Sequence, residues 1–264
     1  MAASTTKKLF GELSFIAGDF TLFVGESLRT LRRLSKRSNL FFKQCEAIGV
    51  TSTMVVLMAA GFIGAVMGYQ LYTAFHRFGA EALVGGSVGV ALFRELAPIM
   101  TAIMVSGRAG AAMTAEIATM RVTEQIDALE VMGVNPVEYL VMPRVAAGLV
   151  MTPLLGIMFG VAATLAAAGL CSGVLDLSLP MFWAQFRKWV DAEDVLLHCG
   201  VKSAVFGLVL TWIACYCGFN AKGGAGSVGR ATQTTVVTTF LAVLFCDYIL
   251  TTLLPYGWAI LTLM

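Results

Sequence analysis

Four ionisable side chains fall inside runs that are otherwise apolar: Arg94 and Glu95 within 82–107, Lys202 within 195–219, and Asp247 within 231–264. At the centre of a bilayer each costs roughly 2.5–3.5 kcal/mol on insertion scales, so such residues turn inward, pair, and mark a cavity or a path. Two acids and two bases can neutralise one another. The chemistry they offer is binding: charges of both signs beside apolar walls suit an amphiphile with a charged head. Two other uses remain open. The four can be ion pairs that only fix helix register, or Arg94-Glu95 can lie at the outer end of a shorter span.

A second chemical signal lies in Glu116–Val134. Val122, Ile126, Leu129 and Met132 recur at helical spacing, while Glu116, Thr119, Thr123, Asp127 and Glu130 take another side. Gly133 and Asn135-Pro136 supply a helix stop. A short acidic amphipathic helix of this kind suits a protein partner and avoids anionic lipid. A solvated loop helix is the plainer alternative.

Two literal motifs lack their context. Gly224-Ala225-Gly226-Ser227-Val228-Gly229 spells GxGxxG, but a dinucleotide site needs a strand before it, and here an apolar span precedes. Gly85-Gly86-Ser87-Val88-Gly89 spells GxSxG, but a nucleophile elbow needs a strand-to-helix turn with a histidine and an acid at hand. The chain has two histidines, His76 and His198, so an intramembrane hydrolase built on Ser87 is a remote reading. The sequence contains no Walker lysine and no cluster of metal ligands, so any ATP used must be bound by another chain.

The elements that position these residues follow from composition. Of 264 residues, 58% are hydrophobic and 13% charged, with mean hydropathy +0.82. Soluble domains carry about 25% charged residues, so a soluble enzyme, a disordered chain and a coiled coil are excluded. A net charge of +2 gives no field for nucleic acid. Five apolar runs, approximately 47–75, 82–107, 145–175, 195–219 and 231–264, are long enough to cross a bilayer. The fold class expected is all-α integral membrane. Gly64 and Gly68, Gly107, Ala111 and Ala115, and Gly156 and Gly160 form small-residue faces that let helices approach closely. The six cysteines read as small buried apolar side chains.

Lys/Arg placement sets orientation. With the N-terminus inside, inner segments hold thirteen Lys/Arg and outer loops three, eight of the thirteen lying in residues 1–46. That first segment mixes these charges with Leu9, Phe10, Phe20, Phe23 and Leu28, which suits a helix lying at the membrane interface. Residues 47–264 then form the permeating domain. The outer loop 176–194 reads as a short amphipathic element carrying Trp183, Phe186 and Trp189.

The stretch Phe93–Arg144 resembles the MlaE family of permeases. The resemblance runs through Arg94-Glu95-Leu96-Ala97-Pro98, Gly107-Arg108-Ala109-Gly110-Ala111, Thr114-Ala115-Glu116-Ile117 and Met120-Arg121-Val122-Thr123-Glu124-Gln125-Ile126-Asp127-Ala128-Leu129. It continues through Met132-Gly133-Val134-Asn135-Pro136 and Pro143-Arg144, with weaker echoes at Val201–Phe206, Arg230-Ala231-Thr232 and Asp247.

This resemblance implies the non-catalytic membrane subunit of an ATP-driven phospholipid transporter. It implies a homodimer bound to two cytoplasmic ABC ATPase subunits, which hold the ATP and magnesium, and a hexameric ring of MCE-domain proteins on the outer side. Some members add a STAS-domain protein. The setting is a bacterial inner membrane, with the N-terminus cytoplasmic and the C-terminus periplasmic, and the task is maintenance of outer-membrane lipid asymmetry.

An interfacial helix, five spans and a coupling helix between spans two and three are the implied layout. Arg121, Glu124, Gln125, Asp127, Ala128, Leu129, Glu130, Met132 and Gly133 then form the ATPase coupling helix, within 121–134. Arg94, Glu95, Lys202 and Asp247 lie at the lipid cavity. The competing reading is a secondary transporter or ion channel using Glu95, Lys202 and Asp247, which leaves the acidic inner helix unexplained.

Overall fold

The computed structural model describes residues 18–29 and 38–261, and their side chains except those of Ser38 and residues 254–261. Much of the N-terminal interfacial segment, with Lys7, Lys8, Arg32, Arg33, Lys36 and Arg37, therefore lies outside the described residues. The described chain is helical, with no strand. A helix is the form in which an apolar chain satisfies its own backbone in lipid.

Helix α1 covers 18–29. Five helices are long and apolar enough to span a membrane: α2 (Asn39–His76), α3 (Glu81–Val122), α5 (Val137–Gly173), α7 (Asp194–Phe219) and α8, whose spanning part is Ala225–Leu253. Between them stand two short helices, α4 (Gln125–Val131) and α6 (Leu179–Trp189). Several spanning helices outrun the apolar stretches that announce them. Helix α3 continues past Gly107 to Val122, and its 42 residues extend roughly 63 Å, twice a hydrocarbon core. Its last turns thus project as a stalk that carries Glu116 and Arg121.

Glycine sets how closely these helices meet. Gly64 and Gly68 of α2 lie on the backbone of Ala163 and Ala167 of α5; a Cβ at Gly68 would sit 3.1 Å from Ala167 Cα. Gly148 of α5 and Gly207 of α7 oppose one another in the same way. Gly85, Gly86 and Gly89 leave room for Phe182, Trp189 and Phe186 of α6, so the GxSxG string is a packing groove inside a helix. In lipid, where apolar burial gives helices little reason to associate, such contacts supply much of the attraction. Outward faces stay apolar, as at Phe62, Val66, Leu241 and Phe245.

One expected small-residue face is corrected. A Cβ at Gly107 would meet nothing within 4 Å, and Gly107 is exposed. The helix widens by one residue per turn at Ser106–Gly110, which shifts its phase and turns Val105, Ala109 and Met113 inward. Similar widened turns occur at Glu46–Val50, Leu92–Leu96, Val137–Val141 and Asp194–Val201.

Two glycines three residues apart on α2 test this packing. Gly61 faces open space, so Gly61→Ala should hold or raise the melting midpoint of the purified chain, since Ala exceeds Gly by about 1 kcal/mol in a helix. Gly64→Ala should lower it, by the roughly 1–3 kcal/mol of an overpacked contact. Equal midpoints for the two variants would remove close α2–α5 contact as a source of stability.

Candidate functional site

Lys202 opens the regular part of α7, directly after the widened turn Asp194–Val201, and is completely buried. Its ammonium donates to the Arg94 carbonyl at 2.9 Å, Glu95 Oε2 at 3.0 Å, Asp247 Oδ1 at 3.1 Å and Thr251 Oγ1 at 2.8 Å. Three N–H donors thus meet four oxygens, from α3, α7's neighbour α8, and a side chain one turn further along α8. Glu95 and the Arg94 carbonyl lie in the widened turn Leu92–Leu96, where the regular ladder is loosened. The structure therefore gathers Glu95, Lys202 and Asp247 at one point. Lys202 is sealed inside and Asp247 is largely covered, whereas the Glu95 side chain is 40% exposed and opens outward.

Arg94 does not join that knot through its side chain. Its Nε donates to Asp194 Oδ1 at 2.7 Å, and Asp194 Oδ2 accepts the Asp191 N–H at 3.3 Å. Asp194, the first residue of α7, is itself buried, while Arg94 stays partly open. Sequence reasoning placed Asp194 in an outer loop and so missed this partner. No signal in the spacing marked it, because Asp194 follows the exposed Asp191 and Glu193 and reads like them as a loop acid. Thr251 left no signal, because a threonine in an apolar run is common.

The opposite end of the bundle carries α4. The expected single helix over 121–134 is broken: Arg121 belongs to α3, and Glu124 adopts φ +59°, a left-handed residue that turns the chain before α4 starts at Gln125. Arg121 Nη1 spans the break to Asp127 Oδ1 at 2.5 Å. Gln125, Asp127, Ala128, Leu129 and Glu130 lie on α4, and Met132 and Gly133 form its cap. Gly133, at φ +73°, donates to Glu130, and Val134 donates to Leu129, which closes the C-terminus. Asn135 Oδ1 then accepts the Val137 and Glu138 N–H groups at 2.8 and 3.2 Å, starting α5.

This phase break also corrects the expected apolar face. Ile126 is buried among Ile117, Val137, Leu140, Val141, Val145 and Cys215, but Met132 is 68% exposed and Val131 89%. The tip of α4 thus presents Val131 and Met132 beside exposed Glu124, Asp127 and Glu130. The two helices that flank α4 are tied to each other by a buried arginine: Arg144 of α5 donates to Glu116 Oε2 of α3 at 2.7 Å and to the Leu140 carbonyl of α5 at 2.6 Å.

Helix α1 docks at this same end. Tyr216 donates to Asp19 at 2.9 Å, Asn135 Nδ2 to Glu26 at 3.1 Å and Trp212 Nε1 to Ser27 at 2.9 Å, with Phe23 against Tyr216 and Phe219. Between α1 and α4 opens a cavity of about 710 Å³, with Asp19, Glu26, Arg121 and Glu130 in its walls. Nothing in the spacing of Asp19 or Glu26 pointed to it.

Among the described residues, α7 and not a strand precedes the GxGxxG string, which opens α8. Residues 41–253 match the family described as Permease MlaE. A probable ABC transporter permease protein of Rickettsia felis is 38% identical over 241 residues, covering 89% of this chain and 91% of that one. A probable ABC transporter permease protein of Synechocystis sp. is 37% identical over 228 residues, covering 85% of this chain and 84% of its own. The intermembrane phospholipid transport system permease protein MlaE of Haemophilus influenzae is 35% identical over 228 residues, covering 84% and 85%. A chain with five spanning helices among its described residues, matched over this length, belongs to the MlaE permease family.

Proposed function

We propose that this chain moves phospholipid when a separate cytoplasmic ATPase grips α4. The observation that carries the reading is α4 itself: an acidic, apolar-tipped knob that is exposed at Val131 and Met132 yet tied to α3 by Arg121–Asp127 and packed on α5 through buried Ile126. A knob with a rigid root passes force; a solvated loop would absorb it. ATP and magnesium are held by that ATPase, and this chain contributes differential binding of lipid in two states.

The excess of Lys/Arg on the α4 side favours that side as cytoplasmic, in a bacterial inner membrane with the C-terminus periplasmic. Two copies of the chain enclose the lipid cavity. Arg94, Glu95, Lys202 and Asp247 lie at it, with the outward Glu95 carboxylate meeting the cargo and Lys202 holding it in place. A hexameric ring of MCE-domain proteins receives or delivers lipid on the outer side, with a STAS-domain protein on the ATPase in some assemblies, and the outcome is outer-membrane lipid asymmetry.

The alternative, an ion path through Glu95, Lys202 and Asp247, draws on the buried lysine. That lysine is saturated by four acceptors, which suits a fixed tie better than a mobile carrier.

Charge reversal tests the grip. Glu124→Lys with Glu130→Lys should abolish co-purification of the ATPase from membranes that contain both subunits at normal levels. Glu193→Lys, exposed at the other end, should leave it unchanged. Full recovery of the ATPase with the double variant would end the coupling reading.

A second pair of variants separates cargo contact from structure. Glu95→Gln should fold normally and slow ATP-driven transfer of labelled phospholipid from proteoliposomes. Lys202→Met leaves two carboxylates without their buried cation and should destabilise the chain by about 3–5 kcal/mol. Normal transfer by Glu95→Gln would remove Glu95 from the cargo path.

A further inference from the structure

The loop between α7 and α8, with the first turns of α8, holds a group that the transport reading leaves unused. Lys222 and Arg230 line one cavity of about 270 Å³, together with Asn220, Ser227 and Thr234. Both cations are exposed, and neither is paired with a carboxylate among the described residues. The sequence contains no acid at all between Asp194 and Asp247. Two like charges facing one small space repel each other unless an anion lies between them. The next cavity differs: across Tyr216 and Asn220, which wall both, the lining carries three acids, Asp19, Glu26 and Glu130, against one cation, Arg121.

We infer that the cavity formed by Lys222 and Arg230 at the foot of α8 binds a phosphate-type oxyanion. An arginine fork and a lysine point charge are the side chains that suit such a group. The Asn220 amide and the Thr234 hydroxyl add donors at the wall. The positive end of α8, which begins at Ala225, adds to the same field. Gly223, at φ +111°, takes a backbone form that side chains rarely adopt, and it turns the chain between Lys222 and the start of α8. Because α8 is a spanning helix and the cavity sits at its first turns, the site lies at headgroup level, at the end that carries α4. The oxyanion is either the headgroup of an anionic lipid or a free phosphate in solution. The role of the site in lipid handling rests on the transport reading; the binding itself does not.

The full chain is purified without any ATPase and placed in nanodiscs of phosphatidylcholine containing a minor share of phosphatidylglycerol. Native mass spectrometry reads the phosphatidylglycerol retained on the protein relative to phosphatidylcholine. Lys222→Gln with Arg230→Gln should lower that enrichment about thirtyfold, as loss of two interfacial cations implies. Lys222→Arg should preserve it, and the melting midpoint of both variants should match the parent, since both side chains are exposed. Added salt should weaken the parent's enrichment. In a second arm, inorganic phosphate is titrated by calorimetry into the chain in pure phosphatidylcholine discs. Phosphate binding that the double variant loses, with lipid enrichment unchanged, assigns the site to a soluble oxyanion. Enrichment unchanged by the double variant, together with no phosphate binding to the parent, overturns the proposal. Neither arm depends on α4, so this failure is distinct from a failure of the coupling reading.

Discussion

An ammonium group with no route to water fixes the middle of this bundle. Glu95, Asp247, Thr251 and the Arg94 carbonyl surround the buried Lys202 side chain, and these come from α3 and α8. A buried pair of this kind adds little net stability, because desolvation offsets most of the attraction, but removing one partner is expensive. Its consequence is therefore specificity. Sliding α3, α7 or α8 by one residue would separate charges that the surroundings cannot solvate. In lipid, where apolar surfaces gain little from meeting one another, such a tie decides register more firmly than apolar burial can.

The same logic repeats toward the α4 end with milder chemistry. Thr114 Oγ1 of α3 lies 3.0 Å from the Ala214 carbonyl of α7 and 2.9 Å from Thr235 Oγ1 of α8. Glu116 then reaches Arg144 of α5. The polar ties are stacked along α3, from Arg94 to Arg121, which makes that helix the spine to which the others are attached. Its end, bent by the left-handed Glu124 and locked by Arg121 to Asp127, is where α4 springs.

Much of this was written in the residue order, and the limits have physical causes. The apolar runs gave five spanning helices because a bilayer demands some 20 apolar residues whatever else they do. Helix ends were less legible, since backbone hydrogen bonding continues through Glu116 or Val137 after hydropathy has fallen. The mutual attraction of Glu95, Lys202 and Asp247 could be foreseen from their number and sign. The partner of Arg94 could not, because pairing depends on which acid the widened turns at Leu92–Leu96 and Asp194–Val201 bring to its level. The same kind of turn defeated the reading of Gly107: a period of 3.6 residues, carried through Ser106–Gly110, points to the wrong side of the helix. At α4 the periodicity of Val122, Ile126 and Met132 failed for a related reason, a single residue with positive φ.

The distribution of polar ties also divides the bundle by how its parts can move. Helices α3, α7 and α8 share Lys202, Thr114 and the Arg94–Asp194 pair, so displacing one against another strips a buried charge or hydroxyl of its partners. Helices α2 and α5 meet through Gly64, Gly68, Ala163 and Ala167, and no side-chain hydrogen bond joins them among the described residues. Between the two groups the described hydrogen bonds of spanning helices reduce to Glu116–Arg144, beside the root of α4, and the His76–Glu81 contact at the opposite end. Packed apolar surfaces can shift by small sliding steps without losing a hydrogen bond, whereas a knotted set moves as one body. Helices α3, α7 and α8 are therefore bound to move as one knotted body that carries Glu95, while α2 and α5, which meet each other through small residues alone, can slide by small steps.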